Sequence, residues 1–294
     1  PAGGTTLTYT GTATSTTINW GIQDTGIDHT SGCGIENIVF KNTDSGSSRA
    51  TSSSPIIGIE VGGTNGSDCT ELTNVDIMGF GYNLWLSANN YNFNFQNGMI
   101  RNGGQAIHAA PASNSGELIT FNDAFIVDNW ATYGAEADNC IYLDHSSVAS
   151  ILFNGVSMDD CAMWVGQANN VTIIGGHNEN VGFSSWGKYT PITIDNNVAT
   201  NVSITGTTFF NMATTLGNSP DQFISNGGTL NLNGVIFRRF GGVTIPTAIT
   251  LTGSGRVTWQ SLNNVSSAAF TEIVTGYGNA LSGSTGLMNI SALN

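Results

Sequence analysis

A short strand-like pattern recurs nine times along this chain of 294 residues. Each copy contains an apolar residue, any residue, a second apolar residue, any residue, and then Gly, Asn, Asp or Ser. Alternation of period two that ends in a turn residue is typical of a β-strand followed by a tight turn. The second apolar residues of the nine copies are Phe40, Ile77, Phe95, Phe121, Phe153, Ile173, Ile204, Leu232 and Trp259.

The spacing of these copies predicts how the strands assemble. Successive copies lie 18 to 37 residues apart, and no stretch of helical period separates them. One copy cannot bury its apolar side chains alone, whereas coils stacked about 4.8 Å apart can. The sequence therefore predicts an all-β fold, a single-stranded parallel β-helix (solenoid) of about nine or more coils over residues 1–294. A β-sandwich is the alternative, but its strands would recur every 8–12 residues or so.

Charge and the length of apolar runs exclude two classes of partner. The chain has seven basic and twenty acidic residues and a net charge of −13. A nucleic-acid surface needs a basic footprint, and the sequence has none. No apolar run approaches the 18 or so residues of a membrane span, so we expect no membrane insertion.

The ends of the chain predict how the solenoid is bounded. The sequence starts at Pro1, within a segment that has the residue pattern of a turn followed by a strand, and shows no signal peptide. We therefore expect that an upstream N-terminal cap is lacking, and that residues 260–294 form a C-terminal capping segment.

Four cysteines predict two disulfides. Cys140 and Cys161 are 21 residues apart, which is one minimal coil, and Cys33 and Cys69 each precede a strand on consecutive coils. We predict the pairs Cys33–Cys69 and Cys140–Cys161; four buried thiols are the alternative. Disulfides form in oxidising compartments, so they indicate an extracellular, secreted or virion-surface protein.

Stacked coils turn equal offsets along the chain into columns of side chains. Six and seven positions after the second apolar residue, acidic residues recur on three consecutive coils. These residues are Asp128, Asp159, Asp160 and Glu179. Like charges about 5 Å apart repel, which raises the pKa of at least one carboxyl group and suits a general acid. Carboxyl separations of about 5 or 10 Å leave both retaining and inverting glycosidase geometries open.

Aromatic and basic residues accompany the acids. Trp130, Trp164 and Trp186 follow them, and Arg238 and Arg239 lie two coils further on. Sugar faces stack on apolar rings, and arginine binds carboxylates bidentately. These five residues are therefore candidates for substrate binding; ordinary core, loop or surface positions are the alternative.

The segment 74–86 and the coils around it resemble the pectin-lyase-like superfamily, which contains pectate lyases, polygalacturonases and phage tailspike depolymerases. The resemblance implies a right-handed parallel β-helix that binds polysaccharide, but no single activity. The text from Ile173 to Glu179 is also similar to tailspike β-helices, which implies a catalytic Glu179. Tailspikes are commonly trimers, so the same resemblance implies a homotrimer.

A second part of the resemblance concerns polygalacturonases. Asp138-Asn, Asp159-Asp and Gly-Gly-His177-Asn resemble that family's Asn-Thr-Asp, Asp-Asp and Gly-His-Gly motifs in order. This implies Asp159 as the acid, Asp138 and Asp160 as the groups that activate water, and His177 as an assisting group. The chain departs from the pattern, since Ala replaces the Thr, Asn replaces the second Gly, and no Arg-x-Lys follows.

These observations predict a polysaccharide-binding β-helix that hydrolyses glycosidic bonds with stacked carboxylates. Two alternatives stay open. In a non-catalytic adhesin or filament subunit the acidic column would be structural or would bind Ca²⁺. A polysaccharide lyase is the other, although few Lys and Arg residues lie near the column. No motif calls for a cofactor or a metal ligand set.

Overall fold

The computed structural model shows parallel strands winding into three long ladders. The described residues are 5–9, 19–24, 33–43, 56–62, 67–68, 70–88, 90–109, 116–127, 139–144, 150–180, 190–197, 199–211, 222–239, 247–260, 263–264, 272–275 and 288–290. Each ladder contains ten strands, and every pairing is parallel between consecutive coils. This arrangement is the right-handed parallel β-helix that the sequence predicts.

We call the three sheets A, B and C. In each coil the chain passes through sheet C, then sheet A, then sheet B. Sheet C contains β3 (Cys33–Glu36), β7 (Thr70–Thr73), β11 (Asn94–Gln96), β14 (Ile119–Asn122), β17 (Ile151–Asn154), β20 (Asn170–Ile174), β23 (Asn201–Thr205), β26 (Thr229–Asn233), β29 (Arg256–Gln260) and β32 (Met288–Ile290). Sheet A contains β1 (Thr5–Tyr9), β4 (Ile38–Asn42), β8 (Asp76–Met78), β12 (Met99–Arg101), β15 (Phe125–Val127), β18 (Ser157–Asp159), β21 (His177–Asn180), β24 (Thr208–Asn211), β27 (Ile236–Arg239) and β30 (Asn263–Asn264).

Sheet B contains β2 (Asn19–Asp24), β5 (Ile56–Val61), β9 (Tyr82–Leu86), β13 (Gln105–Ala109), β16 (Ile141–Leu143), β19 (Met163–Val165), β22 (Ile192–Ile194), β25 (Gln222–Asn226), β28 (Thr247–Leu251) and β31 (Glu272–Thr275). A separate pair joins β6 (Ser67–Asp68) to β10 (Asn90–Tyr91). Strands β30, β31 and β32 fall within 260–294 and continue the three sheets. The capping role of that segment stays a prediction.

The core is a set of inward columns that run along the solenoid. On sheet C, Phe95, Phe121 and Phe153 pair in register and are fully buried. The rings of Phe121 and Phe153 stack with centroids 5.0 Å apart. Because side chains alternate in and out along a strand, this register fixes which residues of the sheet C strands face solvent.

Two of the nine repeat copies belong to a different sheet from the others. Phe40 and Ile77 lie on sheet A, and the residues that continue the Phe95 column are Leu72 and Ile35. The pattern occurs on both sheets because strands of each can end in a turn residue. Ile77 and Phe95 therefore lie on different sheets, and the 18 residues between them are not the length of one coil.

One disulfide links consecutive coils at the corner between sheets A and B. Cys140 and Cys161 are bonded, with Cα atoms 5.0 Å apart, as the sequence predicted. Both residues are buried. Cys33 lies on β3, whereas Cys69 lies outside the described residues, so the second pair stays a prediction.

Removing this disulfide should destabilise the solenoid. Replacing both Cys140 and Cys161 with Ala releases a loop closed over 21 residues. We expect a loss of roughly 3 kcal/mol in the free energy of unfolding, because the unfolded chain gains conformational entropy. Urea denaturation would measure it. Ile141→Val, which trims a buried neighbour by one methylene, is the control and should cost about 1 kcal/mol; an equal or smaller loss in the double variant would contradict the prediction.

Candidate active site on sheet A

The turn from sheet C to sheet A keeps the strands of the two sheets in a fixed alignment from coil to coil. In each coil from β7 to β26, a residue with positive φ follows the sheet C strand, such as Asn97 (φ 53) or Gly175 (φ 64). Asn and Gly tolerate this left-handed conformation, which explains the turn residue of the repeat. This turn has a constant length. The residue six positions after the buried Phe, Ile or Leu of each sheet C strand therefore always falls at the same place on sheet A.

That position forms an outward column, which we call the outer column of sheet A. Its side chains are exposed or partly exposed. In coil order its members are Lys41, Met78, Arg101, Val127, Asp159, Glu179, Phe210 and Arg238.

Two carboxylic acids occupy neighbouring rungs of this column. Asp159 ends β18 and pairs in register with Glu179 of β21. Asp159 has a side-chain exposure of 16%. Ligand oxygens of the two carboxyl groups and a ring nitrogen of His177 all lie within 4.8 Å of one another.

His177 and Ser157 form a second outward pair beside the acids. They face each other across β18 and β21, and both are partly exposed. Ser157 Oγ donates to Asp159 Oδ1 at 3.1 Å and lies 3.0 Å from His177 Nε2. His177 Nε2 is also 3.1 Å from Asp159 Oδ1. Because Ser157 has one hydroxyl proton and gives it to Asp159, its oxygen accepts from a protonated Nε2.

The same contacts argue against a serine nucleophile. In a Ser-His-Asp triad the carboxylate binds one imidazole nitrogen and the serine binds the other. Here Asp159 and Ser157 both contact Nε2 of His177. The proton relay of a triad is therefore not formed, and the chemistry of the site lies with the carboxyl groups.

The environment raises the pKa of two of these groups, Glu179 and His177. Burial raises the pKa of Glu179 above its ordinary value, and the negative charge of Asp159 raises it further, against the opposing charge of His177. The pKa of His177 is also raised, chiefly by its hydrogen bond to Asp159 and then by the charges of Asp159 and Glu179, while desolvation opposes both. Glu179 is thus the carboxyl group that retains its proton to a higher pH than an ordinary glutamic acid.

Asp160 does not share the column with Asp159, and its predicted place there was wrong. It is 4% exposed, with φ at 46°, in the turn after β18. Its backbone N–H donates to Glu179 O at 2.7 Å. Strand β18 ends at Asp159, and the backbone turns at Asp160 with a positive φ, where the side chain is buried. Asp160 therefore belongs to the corner, and the outward pair is Asp159 and Glu179.

Arg238 lies in the outer column of sheet A, two rungs beyond Glu179. Phe210 stands between them, with the guanidinium carbon 5.9 Å from the Phe210 ring centroid. The Phe210 ring also meets the His177 ring edge-on at 5.7 Å. Arg239 is the next residue of β27 and pairs with Asn211.

Trp164 faces a different surface from the acids. It lies on β19 of sheet B and stacks on Tyr142, with centroids 4.8 Å apart. The prediction that Trp164 accompanies the acids was therefore wrong about its position. The chain turns a corner within residues 160–162 between the two sheets.

Four predicted site residues lie outside the described residues: Asp128, Trp130, Asp138 and Trp186. Their roles stay predictions. In contrast, Ser157 and Phe210 contact the site and were missed. Both could have been found with the same offset reasoning, since Ser157 and His177 each lie four positions after the buried column and Phe210 lies six.

The cluster could also hold a metal ion. Asp159, His177 and Glu179 are the group in the described part of the chain that brings three potential ligand atoms together. An imidazole with two carboxylates suits a divalent transition metal better than Ca²⁺, which prefers oxygen ligands.

Comparison with known proteins gives a distant structural similarity. No family model and no curated protein matches the sequence. Among solved structures, the catalytic unit of a thermostable GH87 alpha-1,3-glucanase from Streptomyces thermodiastaticus strain HF3-3 is similar, with 12% identity and a TM-score of 0.43. The match covers 93% of this chain and 62% of that chain, so the chain spans less than two thirds of that catalytic unit.

Within the described residues, no helix has the length and apolar character that crossing a bilayer demands.

His177 should make the stability of the protein depend on pH. Because its folded-state pKa is raised, the imidazolium stabilises the fold fully below the unfolded pKa of about 6.5. That contribution is lost as the pH rises through the folded pKa. We expect the urea midpoint of the wild type to fall between slightly acidic and alkaline pH by more than that of His177→Gln. Parallel pH dependences in the two proteins would contradict this prediction.

Proposed function

We propose that this protein hydrolyses glycosidic bonds of a polysaccharide at the Asp159–Glu179 pair. One observation carries the proposal: two outward carboxyl groups on neighbouring rungs have different environments. Burial and the adjacent Asp159 raise the pKa of Glu179, whereas Asp159 accepts a hydrogen bond from Ser157. Glycoside hydrolysis requires two carboxyl groups, one that gives a proton and one that acts as a carboxylate.

In the first step, Glu179 donates its proton to the glycosidic oxygen while Asp159 attacks the anomeric carbon. The bond between that carbon and the leaving oxygen breaks, and an ester to Asp159 forms. In the second step, Glu179 takes a proton from water, whose oxygen attacks the anomeric carbon and releases Asp159. Glu179 ends protonated again, so the cycle needs no other reagent.

The separation of the two acids favours retention of anomeric configuration. Their ligand oxygens lie within 4.8 Å of each other. Retaining enzymes hold their carboxyl groups about 5–5.5 Å apart, whereas inverting enzymes leave about 6.5–9.5 Å for a water molecule.

His177 serves as a positioning residue in this scheme. Its Nε2 lies 3.0 Å from Ser157 Oγ and 3.1 Å from Asp159 Oδ1, so it orients the carboxylate without contacting the bond that breaks. Arg238, two rungs from Glu179, would meet a sugar outside the cleaved linkage.

The proposed location is extracellular, secreted or on a virion surface. The buried disulfide between Cys140 and Cys161 supports an oxidising environment. The homotrimer stays a prediction.

The chemistry of the products tests the proposal. Purified protein would be incubated with a panel of neutral and uronate polysaccharides, and reducing ends and ultraviolet-absorbing unsaturated ends would be measured. We expect new reducing ends without unsaturation, and their loss in Asp159→Asn. Glu71→Gln, which changes an exposed acid on sheet C, is the control and should keep full activity. Unsaturated products would indicate a lyase, and no cleavage of any polysaccharide would support the adhesin alternative.

A further inference from the structure

Sheet B carries a stack of parallel aromatic rings on its outer face. The Tyr82 and His108 rings stack at 4.2 Å, those of His108 and Tyr142 at 5.4 Å, and those of Tyr142 and Trp164 at 4.8 Å. The planes of these neighbours differ by 13° or less. His108, Tyr142 and Trp164 are register partners on consecutive rungs, so the stack grows along the solenoid axis.

The orientation of Trp164 at the end of the stack is built into the backbone. A Cβ on Gly166, two residues along the same face, would collide with the Trp164 ring and with Asp144 Oδ1. Gly166 therefore leaves room for the indole to extend over the strand beside the Asp144 carboxylate. Asp144 Oδ2 in turn accepts a hydrogen bond from Tyr142 Oη at 3.2 Å.

Within the described residues the stack ends at Trp164, because the next rungs of this column carry small hydroxyl side chains. Trp164 pairs with Thr193, and Ser225 and Thr250 follow in the same column. All three are partly exposed, as is Trp164. Among the described residues, the register partner of Trp164 on the side away from Tyr142 is therefore the short side chain of Thr193.

We propose that this end of the stack is a glycan-binding subsite, in which a sugar ring continues the stack on Trp164 above Thr193. The apolar face of a pyranose packs on an aromatic ring. Asp144 can accept hydrogen bonds from sugar hydroxyls, and the hydroxyls of Thr193 and Ser225 can donate and accept them. A ring, an acceptor carboxylate and hydroxyl groups together match the surface of a sugar.

The charges of the described residues on this face favour a neutral glycan over an anionic one. Within the described part of sheet B, the outer column contains Glu60, Trp85, His108, Tyr142, Trp164, Thr193, Ser225 and Thr250 and no Lys or Arg. Asp144 adds a negative charge beside Trp164, in a chain of net charge −13. A uronate or sulfated polymer would be repelled here.

The subsite is independent of the proposed hydrolysis. Trp164 lies around the corner from Asp159, on another sheet, and none of its contacts involves Asp159, His177 or Glu179. Binding at Trp164 would hold the protein on a glycan whether or not the sheet A site cleaves it.

Affinity electrophoresis tests the subsite with defined probes. Native gels would contain dextran, laminarin, glucomannan or galactomannan, with polygalacturonate as the anionic comparison. The protein would carry Asp159→Asn, so that cleavage does not consume the gel. Trp164→Ala removes the platform, and Thr193→Trp replaces the neighbouring hydroxyl side chain with a bulky ring while Trp164 stays in place. Thr172→Trp, the same change on the outer face of sheet C, is the control.

We expect retardation in at least one neutral gel and a loss of affinity of about tenfold or more in Trp164→Ala. Thr193→Trp should lose binding while keeping its circular dichroism spectrum, and Thr172→Trp should bind normally. No retardation in any neutral gel, or retardation that Thr193→Trp leaves intact, would overturn the proposal.

Discussion

Glu179→Gln should lower the rate of polysaccharide cleavage by about a thousandfold or more, because an amide cannot donate the proton that the leaving oxygen requires. The change preserves the size of the side chain and its place on β21, opposite Asp159. Initial rates of reducing-end formation on the polysaccharide that the wild type cleaves best would measure the loss. Glu71→Gln should keep the wild-type rate.

The pair should also act as a unit. If Asp159 and Glu179 serve the same bond-breaking event, the double variant Asp159→Asn/Glu179→Gln should be no slower than the slower single variant. Losses that multiply would mean that the two acids act in separate steps or at separate sites. A wild-type rate in either single variant would remove that residue from the reaction.

Acid should destabilise the protein through His108. Burial lowers the pKa of His108 to about 4, and its Nδ1 lies 2.7 Å from Gln105 Oε1 inside the aromatic stack. The unfolded chain binds a proton at about pH 6.5, so between that pH and about 4 it holds more protons than the folded protein. Stability present above pH 6.5 or so is therefore lost as the pH falls, by roughly 3 kcal/mol for a shift of this size.

A matched variant isolates this effect. His108→Phe keeps an aromatic ring in the stack but cannot be protonated. Urea denaturation at pH 7 and near pH 4 should show a smaller loss of stability on acidification in the variant than in the wild type. The comparison uses the difference between two pH values, so the lost hydrogen bond to Gln105 cancels. An equal loss in both proteins would show that His108 is not the group responsible.

The sequence predicted the fold and part of the site for a definite physical reason. The turn from sheet C to sheet A has constant length, so an offset counted from Phe153 or Ile173 stays valid on the next sheet. It correctly placed Asp159 and Glu179 on neighbouring rungs. It was wrong for Asp160, because β18 ends at Asp159 and Asp160 lies buried in the turn that follows.

Other features depend on lengths that the repeat does not hold constant. The connection from sheet A to sheet B has three residues after Asp159 and thirteen after Val127. Counting residues from sheet C therefore does not give positions on sheet B. For this reason the sequence could not predict on which surface of the solenoid Trp164 lies. The hydrogen bonds that join Ser157, His177 and Asp159 depend on side-chain geometry that a repeat pattern does not contain.

The anomeric configuration of the first product tests the central claim most directly. Proton NMR during the first minutes of cleavage would follow the new reducing end before mutarotation. The ligand oxygens of Asp159 and Glu179 lie within 4.8 Å of each other. We therefore expect the product to keep the configuration of the bond that was cleaved. An inverted product would contradict the account, because inversion needs a water molecule between carboxyl groups that stand further apart than Asp159 and Glu179.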